Sequence, residues 1–209
     1  REWVHAPCPF PGFTVEVALY AGLAMLALGV RLAALGRFPL SLPEANTALA
    51  AWRAAQGGAW RPEAYSPLLF DANLLLFWLT RAGDGAARLL PALAGVALVA
   101  LPYAARHAVG RGAALAMAIL LAFAPSWVFF SRANDWPIVA AALAAATLVS
   151  VDRYRQSGLA SDARLAAGTL ALGLLAGPGI VTPLVVAGAY GLLWARRHPI
   201  LGPARLRGL

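Results

Sequence analysis

The sequence has no lysine, a single cysteine and few charged residues of either sign. Only 12% of its 209 residues are charged, whereas soluble domains carry about 25%. Cys8 has no second cysteine for an intrachain disulfide, and the three histidines show no metal-ligand spacing. The sequence also lacks a nucleophile elbow, a glycine-rich phosphate loop and a redox pair, so it offers none of the common soluble-enzyme motifs.

Apolar residues make up most of what is present. The chain is 61% hydrophobic, with a mean hydropathy of +0.69. Its net charge of +8 results from 17 arginines against 9 acidic residues. The arginines stand between apolar runs, a pattern typical of membrane topology rather than of nucleic-acid binding. The sequence therefore predicts an integral membrane protein of bundled α-helices in a bacterial cytoplasmic membrane. Its expected surroundings are the lipid bilayer, and no nucleic-acid partner is expected.

Six apolar runs predict about six spanning helices in a single transmembrane domain over residues 1–209. A spanning helix needs about 20 residues to cross about 30 Å of hydrocarbon. The last two runs are shorter and predict a tight helical hairpin joined by a Gly-Pro-Gly turn. The runs are Phe13–Leu35, Leu89–Ala105, Ala113–Phe130, Pro137–Val151, Leu165–Ala176 and Ile180–Trp194.

Residues 36–85 differ from these runs and predict an extracytoplasmic loop with surface helices. Ser41 is placed to cap a helix and Pro43 suits its first turn, while Gly57-Gly58 ends it. Ser66–Thr80 is apolar but only about 22 Å long as a helix, so it either crosses the membrane or lies at its surface.

The distribution of arginines bears on this choice, because short cytoplasmic loops are enriched in positive charge. If Ser66–Thr80 does not cross, nine arginines share one side and the opposite short loops hold Arg132 alone. If it does cross, the bias persists, so charge does not decide. The non-crossing arrangement is preferred because it gathers the ionisable candidates on one face, with the N-terminus in the cytoplasm. The nine arginines are Arg106, Arg111, Arg153, Arg155, Arg164, Arg196, Arg197, Arg205 and Arg207.

The candidate site residues each allow two interpretations. Glu44 is either a first-turn carboxylate favoured by the helix dipole, or a general base or metal ligand. Asp135 is either a helix N-cap or a second acidic site residue, with Arg132 placed for phosphate. Arg88 suits a helix-end anchor or a ligand contact, and Tyr65 suits a helix start.

Five segments in order resemble the N-terminal half of the GT-C superfamily of polytopic glycosyltransferases. That superfamily includes the protein mannosyltransferases, the aminoarabinose transferases and, most similar, the flippase-associated membrane proteins. The resemblance covers roughly residues 20–155. The segments are Arg37-Phe38-Pro39-Leu40-Ser41-Leu42-Pro43-Glu44-Ala45, Tyr65-Ser66-Pro67-Leu68-Leu69-Phe70, Ala87-Arg88-Leu89-Leu90-Pro91-Ala92-Leu93-Ala94-Gly95, Gly110-Arg111-Gly112-Ala113-Ala114-Leu115 and Ala124-Pro125-Ser126-Trp127-Val128-Phe129-Phe130-Ser131-Arg132.

This resemblance implies transfer of a sugar from a polyprenyl-phosphate donor on the extracytoplasmic face. It implies that Glu44 and Asp135 are catalytic, although Pro43 stands where relatives usually have an aspartate before the glutamate. It implies that Arg132 and Arg88 bind the donor phosphate, near Glu63 and Tyr65.

The implied mechanism is an inverting transfer. A carboxylate deprotonates the acceptor, and either a divalent metal or arginine stabilises the phosphate leaving group, so a metal requirement is not predicted. Two other functions stay open: a non-catalytic subunit that joins other membrane subunits in a larger complex, and a transporter component. A transporter would need charges midway along its helices, where Asp71 is the single candidate.

Overall fold

The computed structural model describes residues 14–58, 66–80 and 82–197, with side chains described up to residue 189. In this part of the chain every regular element is a helix, which confirms the all-α prediction. A 3₁₀ turn, Pro178–Ile180, precedes the last helix that the structure describes. The α-helices are α1 (Val15–Leu32), α2 (Leu42–Ala55), α3 (Pro67–Leu79), α4 (Asp84–Ala87), α5 (Leu89–Val109), α6 (Arg111–Phe123), α7 (Pro125–Ser131), α8 (Pro137–Ser157), α9 (Ala160–Ala176) and α10 (Val181–Arg197).

Three of these helices are long and apolar enough to cross a membrane: α1, α5 and α8. Helices α6 and α7 pass the same test together but bend by 59° at a short break, so the described residues hold up to four spans. Helix α9 has 17 residues, about 25 Å, and begins with charged residues. The prediction of about six spanning helices is therefore not supported, although helices lie over all six predicted runs, with α6 and α7 sharing one of them.

The surface of these helices is apolar as well as their interior. Only 17% of the 18 residues of α1 are buried inside the bundle. Its exposed apolar side chains include Leu19, Met25, Leu26 and Val30. A contiguous exposed apolar surface of this kind marks a face that contacts lipid or another protein. It fits the expectation of an integral membrane protein.

Small side chains let the bundle helices approach closely. Ala27 of α1, Val99 of α5 and Ala122 of α6 form one buried cluster. Close backbone approach through small residues is the usual way that membrane helices pack, because lipid provides no hydrophobic driving force between them.

Helices α1 and α5 run antiparallel, as contacts at both of their ends show. At one end Glu16 lies 3.7 Å from Arg106 and 3.6 Å from Arg111. At the other end Arg88, just before α5, donates a hydrogen bond of 3.2 Å to the carbonyl oxygen of Leu35, just after α1. The segment between residues 36 and 87 therefore leaves the bundle and returns to it at one place.

Helices α2, α3 and α4 form a separate layer at this end of the bundle. Ala51 of α2, Phe70 and Phe77 of α3, and Ala87 of α4 share one buried cluster. The N-terminal residues of α2 show the predicted start signals, since Ser41 is the N-cap and Pro43 lies in the first turn.

Pro125 causes the break between α6 and α7, and the side chain of Arg31 binds the carbonyl oxygen that the break leaves free. Pro125 has no N–H, so the carbonyl oxygen of Leu121 loses the donor that a continuous helix would supply. The guanidinium of Arg31 replaces it with a hydrogen bond of 2.8 Å and also contacts the carbonyl of Ala122 at 3.5 Å. Arg31 is almost completely buried, and a Cβ added at Gly95 would lie 2.8 Å from its Nε atom. Gly95 is thus required for the arginine to fit.

Candidate functional site

A cavity of about 1230 Å³ lies where the α2 layer meets the bundle. Four of the six predicted site residues line it: Glu44, Arg88, Arg132 and Asp135. These residues come from three separate parts of the chain, so the fold brings together what the sequence had only placed on one face. Glu63 and Tyr65 lie outside the described residues.

The carboxylate of Glu44 accepts hydrogen bonds at all of its acceptor positions. Its Oε1 atom accepts hydrogen bonds from Arg88 Nε at 2.9 Å and from the backbone N–H of Asn134 at 2.7 Å. Its Oε2 atom accepts from Arg88 Nη2 at 2.9 Å, and from the N–H and the hydroxyl of Ser41 at 2.9 and 2.8 Å. A carboxylate offers about four lone-pair sites, so Glu44 is saturated.

These contacts govern the ionisation of Glu44. Burial alone raises the pKa of Glu44, but the hydrogen bonds from Arg88, Asn134 and Ser41 outweigh it and lower the pKa to about 2. A carboxylate with such a low pKa is a weak proton acceptor near neutral pH. The contacts favour the first-turn interpretation of Glu44, and its role as a general base stays a prediction.

Arg88 is equally saturated. Beside its two bonds to Glu44, it donates to three backbone carbonyl oxygens in the segment after α1: Leu35 at 3.2 Å, Phe38 at 2.9 Å and Pro39 at 3.2 Å. A guanidinium has five N–H donors, and all five are used. Its hydrogen bonds to Glu44 raise the pKa of Arg88 above the ordinary value. Arg88 therefore anchors the layer to the bundle, and the predicted phosphate contact would require these bonds to open.

Asn134, which lies in the segment between α7 and α8, binds the Glu44 partner of the Glu44–Arg88 ion pair. Its backbone N–H binds the Glu44 side chain, and its Nδ2 atom donates to the Glu44 carbonyl oxygen at 3.3 Å. Its Oδ1 atom accepts a hydrogen bond of 3.0 Å from Asn73 in the middle of α3. Asn134 is 3% exposed and Asn73 fully buried. The connection is thus fixed by two helices of the layer.

Arg132 enters the cavity from the end of α7. Its Nη1 and Nη2 atoms donate to the carbonyl oxygens of Val30 and Ala33 at the C-terminal end of α1, the second at 2.8 Å. A cation is favoured there by the helix dipole. No carboxylate pairs with Arg132 in the described structure, and its described hydrogen bonds leave Nε available. It is therefore a cation that a ligand can approach.

Asp135 lines the same cavity and is half-buried. Its Oδ1 atom accepts a hydrogen bond of 2.8 Å from the backbone N–H of Trp136, and the described contacts include no ion pair to its carboxylate. Helix α8 begins at Pro137 with Trp136 as its N-cap, so the N-cap interpretation of Asp135 is wrong by one residue. Asp135 is the more accessible of the two predicted catalytic carboxylates.

Aromatic side chains form much of the remaining wall. Phe129, Phe130 and Trp136 line the cavity; Phe129 is largely exposed and Phe130 about half exposed. Gly179 in the turn before α10 packs on Trp136, since a Cβ there would lie 2.3 Å from the indole ring. The predicted Gly-Pro-Gly hairpin turn therefore supports one side of the cavity.

Sequence reasoning missed three polar residues that build this region: Asn134, Asn73 and Arg31. An asparagine within an apolar helix and an arginine within a spanning run are both costly unless paired, which was a usable signal. Asp71, the transporter candidate, lies exposed on α3, outside the three long apolar helices.

The residues present do not fit a divalent metal at Glu44. No group of three or more His, Cys, Asp or Glu side chains gathers within the described ranges. The Glu44 oxygens are already engaged by five donors, so none is left for a metal ion.

Comparison of the chain with protein-family models, with curated protein sequences and with solved structures finds no match in any of the three.

Proposed function

We propose that this chain binds a polyprenyl-phosphate-linked sugar in the cavity and transfers the sugar to an acceptor, as GT-C glycosyltransferases do. The observation that supports the proposal most is that Arg132 and Asp135 line the same cavity. The first is a cation with no carboxylate partner among the described residues, and the second is a carboxylate with no described ion pair. Phosphate chemistry needs the cation, and activation of a hydroxyl needs the carboxylate.

The cavity also suits a ligand with a polar head and an apolar tail. Its volume of about 1230 Å³ exceeds the roughly 300–1,000 Å³ of ordinary ligand pockets. The exposed rings of Phe129 and Phe130 are available to a prenyl chain, while Arg132 is available to the phosphate. In this proposal the cavity opens on the extracytoplasmic side of a bacterial cytoplasmic membrane, opposite the arginine-rich end.

The proposed reaction is a single displacement. Asp135 accepts the proton of the acceptor hydroxyl while that oxygen forms a bond to the anomeric carbon. The bond between this carbon and the phosphate oxygen breaks, and its electrons remain on the lipid phosphate, whose charge Arg132 stabilises. Glu44 and Arg88 hold the cavity wall in place rather than touching the reacting atoms.

The second candidate, a non-catalytic membrane subunit, is favoured by a different observation. Glu44, which matches the usual catalytic carboxylate of the resembled superfamily, is saturated by hydrogen bonds and has a pKa of about 2. Under this reading the cavity binds a lipid phosphate or a partner subunit without chemistry.

Binding and transfer assays separate these alternatives. Binding of polyprenyl phosphate to the detergent-solubilised protein should weaken about 10- to 100-fold in Arg132→Gln, because one charge-assisted hydrogen bond is lost. The matched control is Arg155→Gln, an exposed arginine at the other end of α8, which should bind normally. Equal binding by both variants would contradict the phosphate site.

Transfer from a polyprenyl-phosphate sugar should fall about 10²- to 10⁴-fold in Asp135→Asn, while binding of polyprenyl phosphate persists. Binding without transfer by the unaltered protein would favour the subunit interpretation. Full transfer by Asp135→Asn would remove Asp135 from the mechanism.

A further inference from the structure

Five oxygen atoms converge on the guanidinium of Arg88. Two belong to the Glu44 carboxylate, both at 2.9 Å, and three are the carbonyl oxygens of Leu35, Phe38 and Pro39 at 2.9 to 3.2 Å. We call these five atoms the oxygen cluster. Carboxylate and carbonyl oxygens gathered in this way are the ligand set that hard cations such as Ca²⁺ use in proteins.

We propose that the Arg88 guanidinium is the resident cation of the oxygen cluster and that Glu44 takes no divalent metal. The resembled superfamily leaves a metal role open for this glutamate, but the donor set of this chain does not fit one. A metal ion would have to displace a bidentate arginine and break five hydrogen bonds at a site where Arg88 is 8% exposed.

The rest of the Glu44 environment supports the same assignment. The lone pairs that Arg88 leaves are taken by the Ser41 N–H and hydroxyl and by the Asn134 N–H. Two of these three donors are backbone N–H groups, which cannot turn away to admit a metal unless the backbone moves at the start of α2 or between α7 and α8. Neither partner of the ion pair therefore has a free position to offer.

The resident cation has a structural consequence. Arg88 joins the end of α1, the start of α2 and the start of α5 through one planar group, which a compact, strongly hydrated metal ion or a lysine ammonium would not match in geometry. It thus fixes one wall of the cavity in the absence of any added ion. This inference concerns the ion pair alone and does not depend on the proposed transfer.

The first experiment measures the melting temperature of the full chain in detergent with EDTA, Mg²⁺, Ca²⁺ or Mn²⁺, using unaltered protein and Glu44→Gln. A ligand at about 100 times its Kd raises the melting temperature of a protein of this size by several degrees. We expect the unaltered protein to show the same melting temperature in all four conditions. A rise with any divalent ion that disappears in Glu44→Gln would overturn the proposal.

The second experiment removes the resident cation. Arg88→Ala should melt well below the unaltered protein, and millimolar ethylguanidinium should raise the melting temperature of this variant but not that of the unaltered protein. Arg155→Ala, at the exposed C-terminal end of α8, is the control that ethylguanidinium should not rescue. A melting temperature of Arg88→Ala equal to that of the unaltered protein would overturn the proposal. Where Arg88→Ala does not fold, the Glu44→Gln comparison decides.

Discussion

Protonation of Glu44 should destabilise the protein in a pH range that the structure defines. The ordinary pKa of the carboxyl is 4.5, and its pKa in the folded chain is about 2. Because the folded pKa is the lower one, the stabilising contribution is complete above about pH 5 and is lost as the pH falls toward 2. Each pKa unit corresponds to about 1.4 kcal/mol, so the shift sets an upper limit of about 3 kcal/mol.

The assay is the apparent melting temperature in detergent between pH 7 and pH 3, followed by tryptophan fluorescence. The unaltered protein should lose part of its stability between about pH 5 and pH 3. Glu44→Gln should melt lower at pH 7, because it leaves Arg88 buried without its counter-charge, and should change less between these two pH values.

Asp71→Asn is the matched control, since Asp71 is an exposed acid of the same helical layer. It should follow the unaltered protein at every pH. If Glu44→Gln loses as much stability as the unaltered protein between pH 5 and pH 3, the assignment of the acid sensitivity to Glu44 is refuted.

Two further predictions concern packing. Gly95→Ala should lower the free energy of unfolding by about 1–3 kcal/mol, because a Cβ at this position lies 2.5 Å from Ser131 Cβ; Gly22→Ala, where a Cβ meets nothing within 4 Å, should be neutral or slightly stabilising in the same thermal assay. Asn73→Leu should cost about 1–3 kcal/mol by leaving Asn134 Oδ1 without its donor, and a melting temperature equal to that of the unaltered protein would show that this buried hydrogen bond is not needed.

The helices could be predicted from the sequence because hydropathy and cap residues act locally. The apolar runs, the Ser41 cap and the Gly-Pro-Gly turn depend on neighbouring residues, and each lies at the predicted position. The number of spans was harder to predict, because the 59° bend at Pro125 and the charged start of α9 shorten the apolar lengths that cross.

The candidate site was predictable as a set of residues but not as a set of bonds. The preferred arrangement, in which Ser66–Thr80 does not cross, placed Glu44, Arg88, Arg132 and Asp135 on one face, and they do line one cavity. Their pairing depends on contacts between residues 44 positions apart and more, which no local pattern encodes. The sequence therefore could not show that Arg88 saturates Glu44 while Arg132 and Asp135 are left accessible.

The meeting of Leu35 and Arg88 has a consequence for how this architecture can vary. The chain leaves the bundle after Leu35 and rejoins it at Arg88, and the Arg88 guanidinium holds these two points together. The segment between them is therefore an insertion whose two ends are fixed to each other. Loop-closure entropy grows slowly with loop length. Residues added to or removed from this segment, away from Leu35 and Arg88, would therefore change the cavity wall that the segment forms at a small cost in folding free energy. The two helices beneath it would remain neighbours, and the size of the accepted ligand could change without rebuilding the transmembrane scaffold.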